Sequence, residues 1–316
     1  FFTPVIFCNY KLISDQKKQL NIEIDQIKID SSQKPVNGKV NIINVWEEDF
    51  ITTFGKPTKD SGTKSFLSLQ SAVKALINDS INLLVTAPIN KNNVQSEEFK
   101  FPGHTDYLAK ELSGESLMFM ICDELKVGLL TDHIPLKDIN SHITKQRIEQ
   151  KFSLINESLK KDFGIQKPKI AVLSIDPHVG DGGVIGNDDQ DLLKPVLLEI
   201  ASKGNLVFGP FSSDSFFGSG LHKKYDAVLA IYHDQGLIPF KTLSFGSGVN
   251  YTAGLNKIRT SPDHGTGYDI AGKGLADSTS FKNAIFSAID ILKSRNLFDN
   301  LNKNPLTSSN SKTGKK

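Results

Sequence analysis

The chain has 316 residues, 38% hydrophobic and 23% charged, a balance that suits a globular protein with two domains or one large core. Its 37 basic and 35 acidic residues nearly cancel, to a net charge of +2, and the lysines are scattered, which argues against a nucleic-acid partner. No apolar run approaches the roughly 20 residues of a membrane span, no signal peptide is visible, and Cys8 and Cys122 cannot build a disulfide framework, so a cytoplasmic protein with reduced thiols is expected.

The chain opens at Phe1, inside a strand-like run ending at Cys8, and part of the natural N-terminus is expected to precede it. The first sixty residues are the least legible, with short apolar runs at Val5–Cys8 and Val40–Val45 joined by Lys-, Asp- and Gln-rich segments. Further on, Phe66, Leu69, Val73, Leu76 and Ile77 recur at helical spacing, and Asn82–Ala87 reads as a strand stopped by Pro88. Phe101-Pro-Gly-His104-Thr105-Asp106 is a small-residue turn opening a helix over Tyr107–Leu112. Thr105 would cap that helix and Asp106 favour its dipole, while a helix N-terminus is also an anion site.

Met118–Cys122 and Lys126–Leu130 read as paired buried strands, with Cys122 a reduced core thiol. Ile148, Phe152, Ile155, Leu159 and Phe163, followed by Gly164, predict an amphipathic helix with a glycine cap. A strand at Lys169–Ile175, a helix near Asp189–Lys203 closed by Gly204, and a strand at Ala227–Ile231 continue the alternation. A last helix from about Ser278 to Lys293 turns Phe281, Ala284, Ile285, Ala288, Ile289 and Leu292 inward. This pattern predicts an α/β fold with a largely parallel sheet. The polar tail, residues 302–316, is expected to be disordered.

Three histidines stand where strands end: His133 in Thr-Asp-His-Ile-Pro-Leu, His178 in Asp-Pro-His-Val-Gly-Asp-Gly-Gly and His233 in Tyr-His-Asp-Gln-Gly. In α/β proteins the carboxyl ends of strands open into the ligand crevice. Three neutral imidazoles meeting there would hold a divalent metal and leave positions open for substrate. Taken singly, each is more often a hydrogen-bonded structural histidine, and it is the set of three that points to a shared metal. Asp132, Asp176 and Asp234 lie within two residues of them and could orient the rings. Lys241, Asn250 and Arg259 put two cations and an amide among glycines, which suits a phosphate or carboxylate, although isolated basic residues are usually solvated surface. Gly180, Gly182, Gly183 and Gly186 do not form a dinucleotide fingerprint, and Gly267–Lys273 lacks the Ser or Thr a phosphate loop requires. No Gly-x-Ser-x-Gly nucleophile motif is present.

Taken together, these segments resemble the 4-hydroxythreonine-4-phosphate dehydrogenase family of the vitamin B6 pathway. The matching stretches include Leu-Leu-Val-Thr-Ala-Pro-Ile-Asn-Lys91, Phe-Pro-Gly-His104-Thr105-Asp, Gly-Pro-Phe-Ser-Ser-Asp214, Tyr-His233-Asp-Gln-Gly-Leu-Ile-Pro-Phe-Lys241, Gly-Val-Asn250 and Ile-Arg259-Thr-Ser-Pro-Asp-His264, besides the motifs of His133 and His178. They run in family order over roughly residues 80 to 295. The family's usual Gly- and Pro-rich opening loop has no match. His264 to Ala276 is also similar to the nucleotide loop of isopropylmalate and isocitrate dehydrogenases.

The resemblance implies a two-domain isopropylmalate-dehydrogenase-like α/β/α fold with an interdomain cleft. Residues 1–100 and 251–301 would form one domain, residues 101–250 the other. It implies that His133, His178 and His233 hold one divalent metal (zinc, magnesium, manganese or cobalt) in a site shared across a homodimer. His104, Thr105, Lys241, Asn250 and Arg259 would bind a phosphorylated amino acid, and His264, Gly265, Thr266 and Asp269 would bind NAD or NADP. Lys241, Asp234 and Asp214 are the catalytic candidates. The implied reaction is oxidation of 4-phosphohydroxy-L-threonine followed by decarboxylation. The alternatives are the same chemistry on threonate or erythronate 4-phosphate, a metal-dependent phosphoesterase, or a non-catalytic remnant.

Overall fold

The structure, a computed structural model, describes residues 2–112 and 114–304. The N-terminal strands β1 (Val5–Cys8), β2 (Gln26–Ile29) and β3 (Val40–Asn44) form a small parallel sheet in the order β1-β3-β2. Helix α1 (Tyr10–Gln19) links the first two. Asn9 starts it, its side-chain oxygen accepting the Leu12 N–H at 3.0 Å while its amide donates to the Trp46 carbonyl. Neither α1 nor β2 is foreseen from the sequence. Helix α1 buries no residue, so it leaves no apolar period to read.

Helix α2 (Lys59–Ile77) begins with a capping box in which Thr58 and Ser61 each accept the other's N–H at 3.1 Å. It buries Phe66, Leu69, Ala72, Val73 and Leu76. Ile77, expected on that face, is 42% exposed, because the stripe ends at Leu76 and the next position turns outward. Strand β4 is only Leu84–Val85. Helix α3 spans His104–Glu111, beginning earlier than the sequence suggests. Gly103 is its N-cap, so Thr105 lies inside the first turn and does not cap it. Phe66 meets Phe99 and Tyr107 edge-to-face, at 5.4 and 5.8 Å between ring centres, and Phe99 and Tyr107 tilt together at 5.4 Å, which ties α2 to α3.

The remaining strands are β5 (Leu117–Ile121), β6 (Lys126–Leu129), β7 (Lys169–Leu173), β8 (Leu206–Phe211), β9 (Ala227–Ala230), β10 (Val249–Ala253) and β11 (Arg259–Pro262). With β4 they make an eight-stranded sheet in the order β4-β11-β10-β5-β6-β9-β7-β8. From β6 to β8 all pairings are parallel, whereas β11, β10, β5 and β6 pair antiparallel to their neighbours in that run. The sheet is therefore mixed and rich in parallel pairs.

Helices cover both faces. Helices α5 (Lys145–Lys161), α6 (Lys194–Ser202) and α9 (Thr279–Asn302) pack against Ile170, Val172, Leu229 and Tyr251. Helices α7 (Ser213–Gly218) and α8 (His233–Ser244) cover Ala171, Leu173, Val228 and Ala230 on the other face. The alternation of these strand residues between two faces is the two-residue period of a strand buried on both sides. A short α4 (Ile139–His142) precedes α5.

Gly164 and Gly204, expected to close helices, both have positive φ, +69° and +85°. The helix expected near Asp189–Lys203 opens instead as a π-turn over Asp189–Leu193 before α6 begins. Helix α9 is longer than expected and fully buries Ala284, Ala288 and Ile291, while Phe281, Ile285, Ile289 and Leu292 are only partly covered. Cys122 is partly buried at the end of β5 and is a free thiol, as is Cys8. Among the described residues no helix is long and apolar enough to cross a membrane. The expected disordered tail lies outside the described residues from residue 305 onward.

Candidate active site

Strands β6, β9 and β7 are parallel neighbours, so their carboxyl ends share one edge of the sheet. His133, His233 and His178 follow those ends in turn. The edge is tied by Thr131, whose N–H and hydroxyl both donate to the Ile231 carbonyl, at 3.1 and 2.7 Å. Gln235 adds a second tie: its oxygen accepts the Ile231 N–H at 2.6 Å, and its amide donates to Ser174 O and Ser213 Oγ at 2.8 Å. One side chain thus joins the ends of β9 and β7 to the start of α7. Sequence reasoning passed over Gln235, although it stands inside the His233 motif.

The rings of His133 and His233 are 5.7 Å apart. His233 Nδ1 is 2.7 Å from Asp234 Oδ1, and with Nδ1 donating to that carboxylate its Nε2 is the acceptor. Partial desolvation, and then the Lys91 ammonium 3.5 Å from Nε2, push the His133 pKa below its ordinary value and favour the neutral ring. Neutral imidazoles with available nitrogens are the form a divalent metal binds, so the donors fit such an ion. His178 lies on an exposed loop whose residues 178–182 all have positive φ, and Asp214 is near it. Hydrogen bonds from Ser212 and from the Ser215 N–H hold the Asp214 carboxyl down, to about 2. Among the described residues no three His, Cys, Asp or Glu side chains stand together as a metal-binding group, so a single chain does not bring His178 to the other two.

Beside the histidine pair is an anion-receptive corner. Arg259, on β11, is 2% exposed and donates only to hydroxyls: Nε and Nη2 to Thr86 Oγ1 at 3.1 and 2.7 Å, Nη1 to Thr252 Oγ1 at 3.2 Å. No carboxylate neutralises it among the described residues, and burial alone pulls its pKa down to about 9. Desolvation, followed by the charges of Arg259 and Lys91, pushes His104 well below its ordinary value, which locates these three groups together. Asn250 has a buried side-chain oxygen with no hydrogen-bond partner among the described residues. Thr105 and Asp106 follow His104 in the first turn of α3. Lys241, near the end of α8, is ion-paired with Asp263 at 3.1 Å. Lys91 and Asp263 had been assigned no role from the sequence. Lys91 follows a loop and Asp263 precedes one, where hydropathy carries no signal.

His264, Gly265, Thr266 and Asp269 are all exposed on the connection between β11 and α9. That connection is anchored at Asp263, whose N–H donates to Ser280 Oγ, and it rests on Phe54, against which a side chain at Gly272 would clash. A cavity of about 620 Å³ lies apart from all these residues, bordered by Cys122, Lys126, Phe163, Phe286 and Asp290. The residues expected to be functional do not line it.

A family model described as pyridoxal phosphate biosynthetic protein PdxA matches residues 1–288. The chain belongs to this family. A curated relative, 4-hydroxythreonine-4-phosphate dehydrogenase of Bacteroides thetaiotaomicron, is 42% identical over 96% of this chain and 84% of its own. The crystal structure of 4-hydroxythreonine-4-phosphate dehydrogenase from Klebsiella pneumoniae superposes with a TM-score of 0.78 at 30% identity, covering 91% of this chain and 88% of that one. The isocitrate dehydrogenase of Methylococcus capsulatus shares the fold alone, with a TM-score of 0.50 at 10% identity over 95% of this chain and 88% of that one. The α/β architecture expected from the sequence is thus that of this group, and the PdxA-family chain is a dehydrogenase.

Proposed function

We propose that the chain oxidises 4-phosphohydroxy-L-threonine to 2-amino-3-oxo-4-phosphooxybutanoate with NAD as hydride acceptor. Loss of carbon dioxide then gives 3-amino-2-oxopropyl phosphate. The observation that carries this reading is the buried, carboxylate-free Arg259, with the unpartnered oxygen of Asn250 and the adjacent rings of His133 and His233 reached through Lys91. An uncompensated buried guanidinium costs stability, and an anionic ligand is what would compensate it.

Arg259, Asn250, Lys241, His104 and Thr105 would hold the substrate's phosphate and polar groups, so that phosphate binding energy positions the reacting carbon. Lys241, paired with Asp263, is assigned to that grip. Asp234, whose side chain is 70% exposed and which touches His233, is assigned to accept the hydroxyl proton as the carbinol hydride leaves. Asp214, ionised and next to His178, would orient that ring. His133, His178 and His233 would hold a divalent ion, two from one subunit and one from its partner, which makes a homodimer the working unit. When bound, the ion would acidify the hydroxyl and polarise the forming ketone. His264, Gly265, Thr266 and Asp269 are assigned to the nicotinamide cofactor. The domain division at about residues 100 and 250, and a cytoplasmic location, belong to the same proposal.

The test is NADH formation from 4-phosphohydroxy-L-threonine before and after metal stripping. Activity lost with EDTA and restored by zinc, cobalt or manganese supports the reading. Undiminished activity in thoroughly stripped protein overturns the metal's part in it.

A further inference from the structure

The segment carrying His178 is built unlike any other among the described residues. His178, Val179, Gly180, Asp181 and Gly182 follow one another at φ of 52°, 59°, 75°, 44° and 65°. Three of these are not glycine, and Val179 is β-branched, so the turn is held against its own backbone preference. Apolar packing does not hold it. From Pro177 to Asn187 only Gly180 is buried, while Val184 and Ile185 are 84% and 48% exposed.

What lies beneath is polar. Asp189 is completely buried, and its two oxygens accept the N–H groups of Ile175 and Asp176, both at 2.9 Å. Those are the last two residues before Pro177-His178. Above the clamp the loop closes in layers: a side chain at Gly180 would meet the Gly186 carbonyl at 2.2 Å, and one at Gly186 would meet Asp176 Oδ2 at 2.2 Å. The Ile185 N–H donates to Gly180 O at 3.1 Å, which completes the turn. A carboxylate withdrawn from water, with no cationic partner among the described residues, is costly to keep, and here its hydrogen bonds serve the exit of β7.

We propose that Asp189, together with the Gly180–Gly186 contact it supports, is the positioning device for His178. It fixes the departure of the chain from β7 so that the left-handed turn presents the imidazole toward the shared metal. Asp189 touches neither substrate nor metal and acts only through the loop. The inference rests on the reading of His178 as a metal ligand.

The test is cobalt(II) affinity of the metal-stripped full-length chain, measured by competition with a chromophoric chelator, for the wild type, Asp189→Asn, Gly180→Ala and His178→Ala. Asp189→Asn replaces one acceptor with an NH2 group facing an N–H, and Gly180→Ala drives a methyl into the Gly186 carbonyl. Both are expected to weaken cobalt binding about 10-fold or more. The circular dichroism of Gly180→Ala should remain native, since that change is confined to the loop, and it decides the matter if Asp189→Asn does not fold. Wild-type affinity in folded Asp189→Asn and Gly180→Ala, with weakened binding in His178→Ala, overturns the positioning role and leaves the metal site standing. Wild-type affinity in His178→Ala removes His178 from the metal site and the inference with it.

Discussion

Arg259 is poor for the fold taken alone, and the proposed function gives a reason to keep it. Its guanidinium is buried against two threonine hydroxyls with no carboxylate among the described residues. Replacement by methionine, of similar length, removes an unbalanced buried charge, so Arg259→Met should melt at or above the wild-type temperature. The same variant should lose about 100-fold or more in kcat/KM, because hydrogen bonds between charged groups are each worth about 1.5–3 kcal/mol. A large drop in melting temperature would show that Arg259 serves packing instead. His222 makes a separate prediction. It is 4% exposed, its Nδ1 has no partner, and burial depresses its pKa, as burial and neighbouring cations depress that of His104. The native state therefore refuses protons that the unfolded chain accepts, and this stability is complete above the unfolded value of about 6.5 and is lost as pH falls below it. Asp189 and Asp263, whose pKa burial raises, act in the opposite sense, their contribution being lost as pH rises from the ordinary carboxylate range. Melting temperature should fall between pH 7 and 5.5, and His222→Leu should flatten part of that slope.

Among the elements, α9 is pinned by one buried network. Arg295 donates to Asp162 Oδ1 at 2.6 Å and to the Tyr251 hydroxyl at 2.8 Å, while Tyr251 and Ser158 both donate to Asp162 Oδ2. Helices α5 and α9 and strand β10 thus meet at a single carboxylate. Arg295→Met leaves Asp162 buried without its cation and should cost about 3–5 kcal/mol in urea unfolding. Exposed pairs such as Lys11–Asp49, by contrast, should each contribute less than about 1 kcal/mol. A cost under 1 kcal/mol for Arg295→Met would contradict this reading. The same contrast explains what could be foreseen. Helix α5 was legible because Ile148, Phe152, Ile155 and Leu159 mark one face before a glycine stop. Helix α8 was not, because it starts with polar residues and carries Pro239 in its interior. The antiparallel pairing of β5 could not be read from the sequence, since Leu117–Ile121 is as continuously apolar as β9, and β10, interrupted by Asn250 and Thr252, gave no strand signal. Within the site, residue types were readable, but the left-handed turn at His178, the Gln235 tie and the Lys241–Asp263 pair depend on chain geometry that one-dimensional spacing does not carry.

At the scale of the whole molecule, the order of strands accounts for where the chemistry gathers. Three parallel strands deliver three histidines to one edge, and the antiparallel turn through β10 and β11 brings Asn250 and Arg259 back into the same sheet. Neither group is close in sequence to the loops of His104 and Lys91 that complete the corner. Phe54, in the loop between the small N-terminal sheet and α2, gives the connection between β11 and α9 a surface to rest on. The most direct test of the account is to measure NADH and carbon dioxide together from 4-phosphohydroxy-L-threonine, with the 4-phosphates of threonate and erythronate as competitors for kcat/KM. One carbon dioxide for each NADH, with the amino-acid phosphate preferred, is the predicted result. Turnover of the sugar-acid phosphates alone, or NADH formed without carbon dioxide, would contradict it.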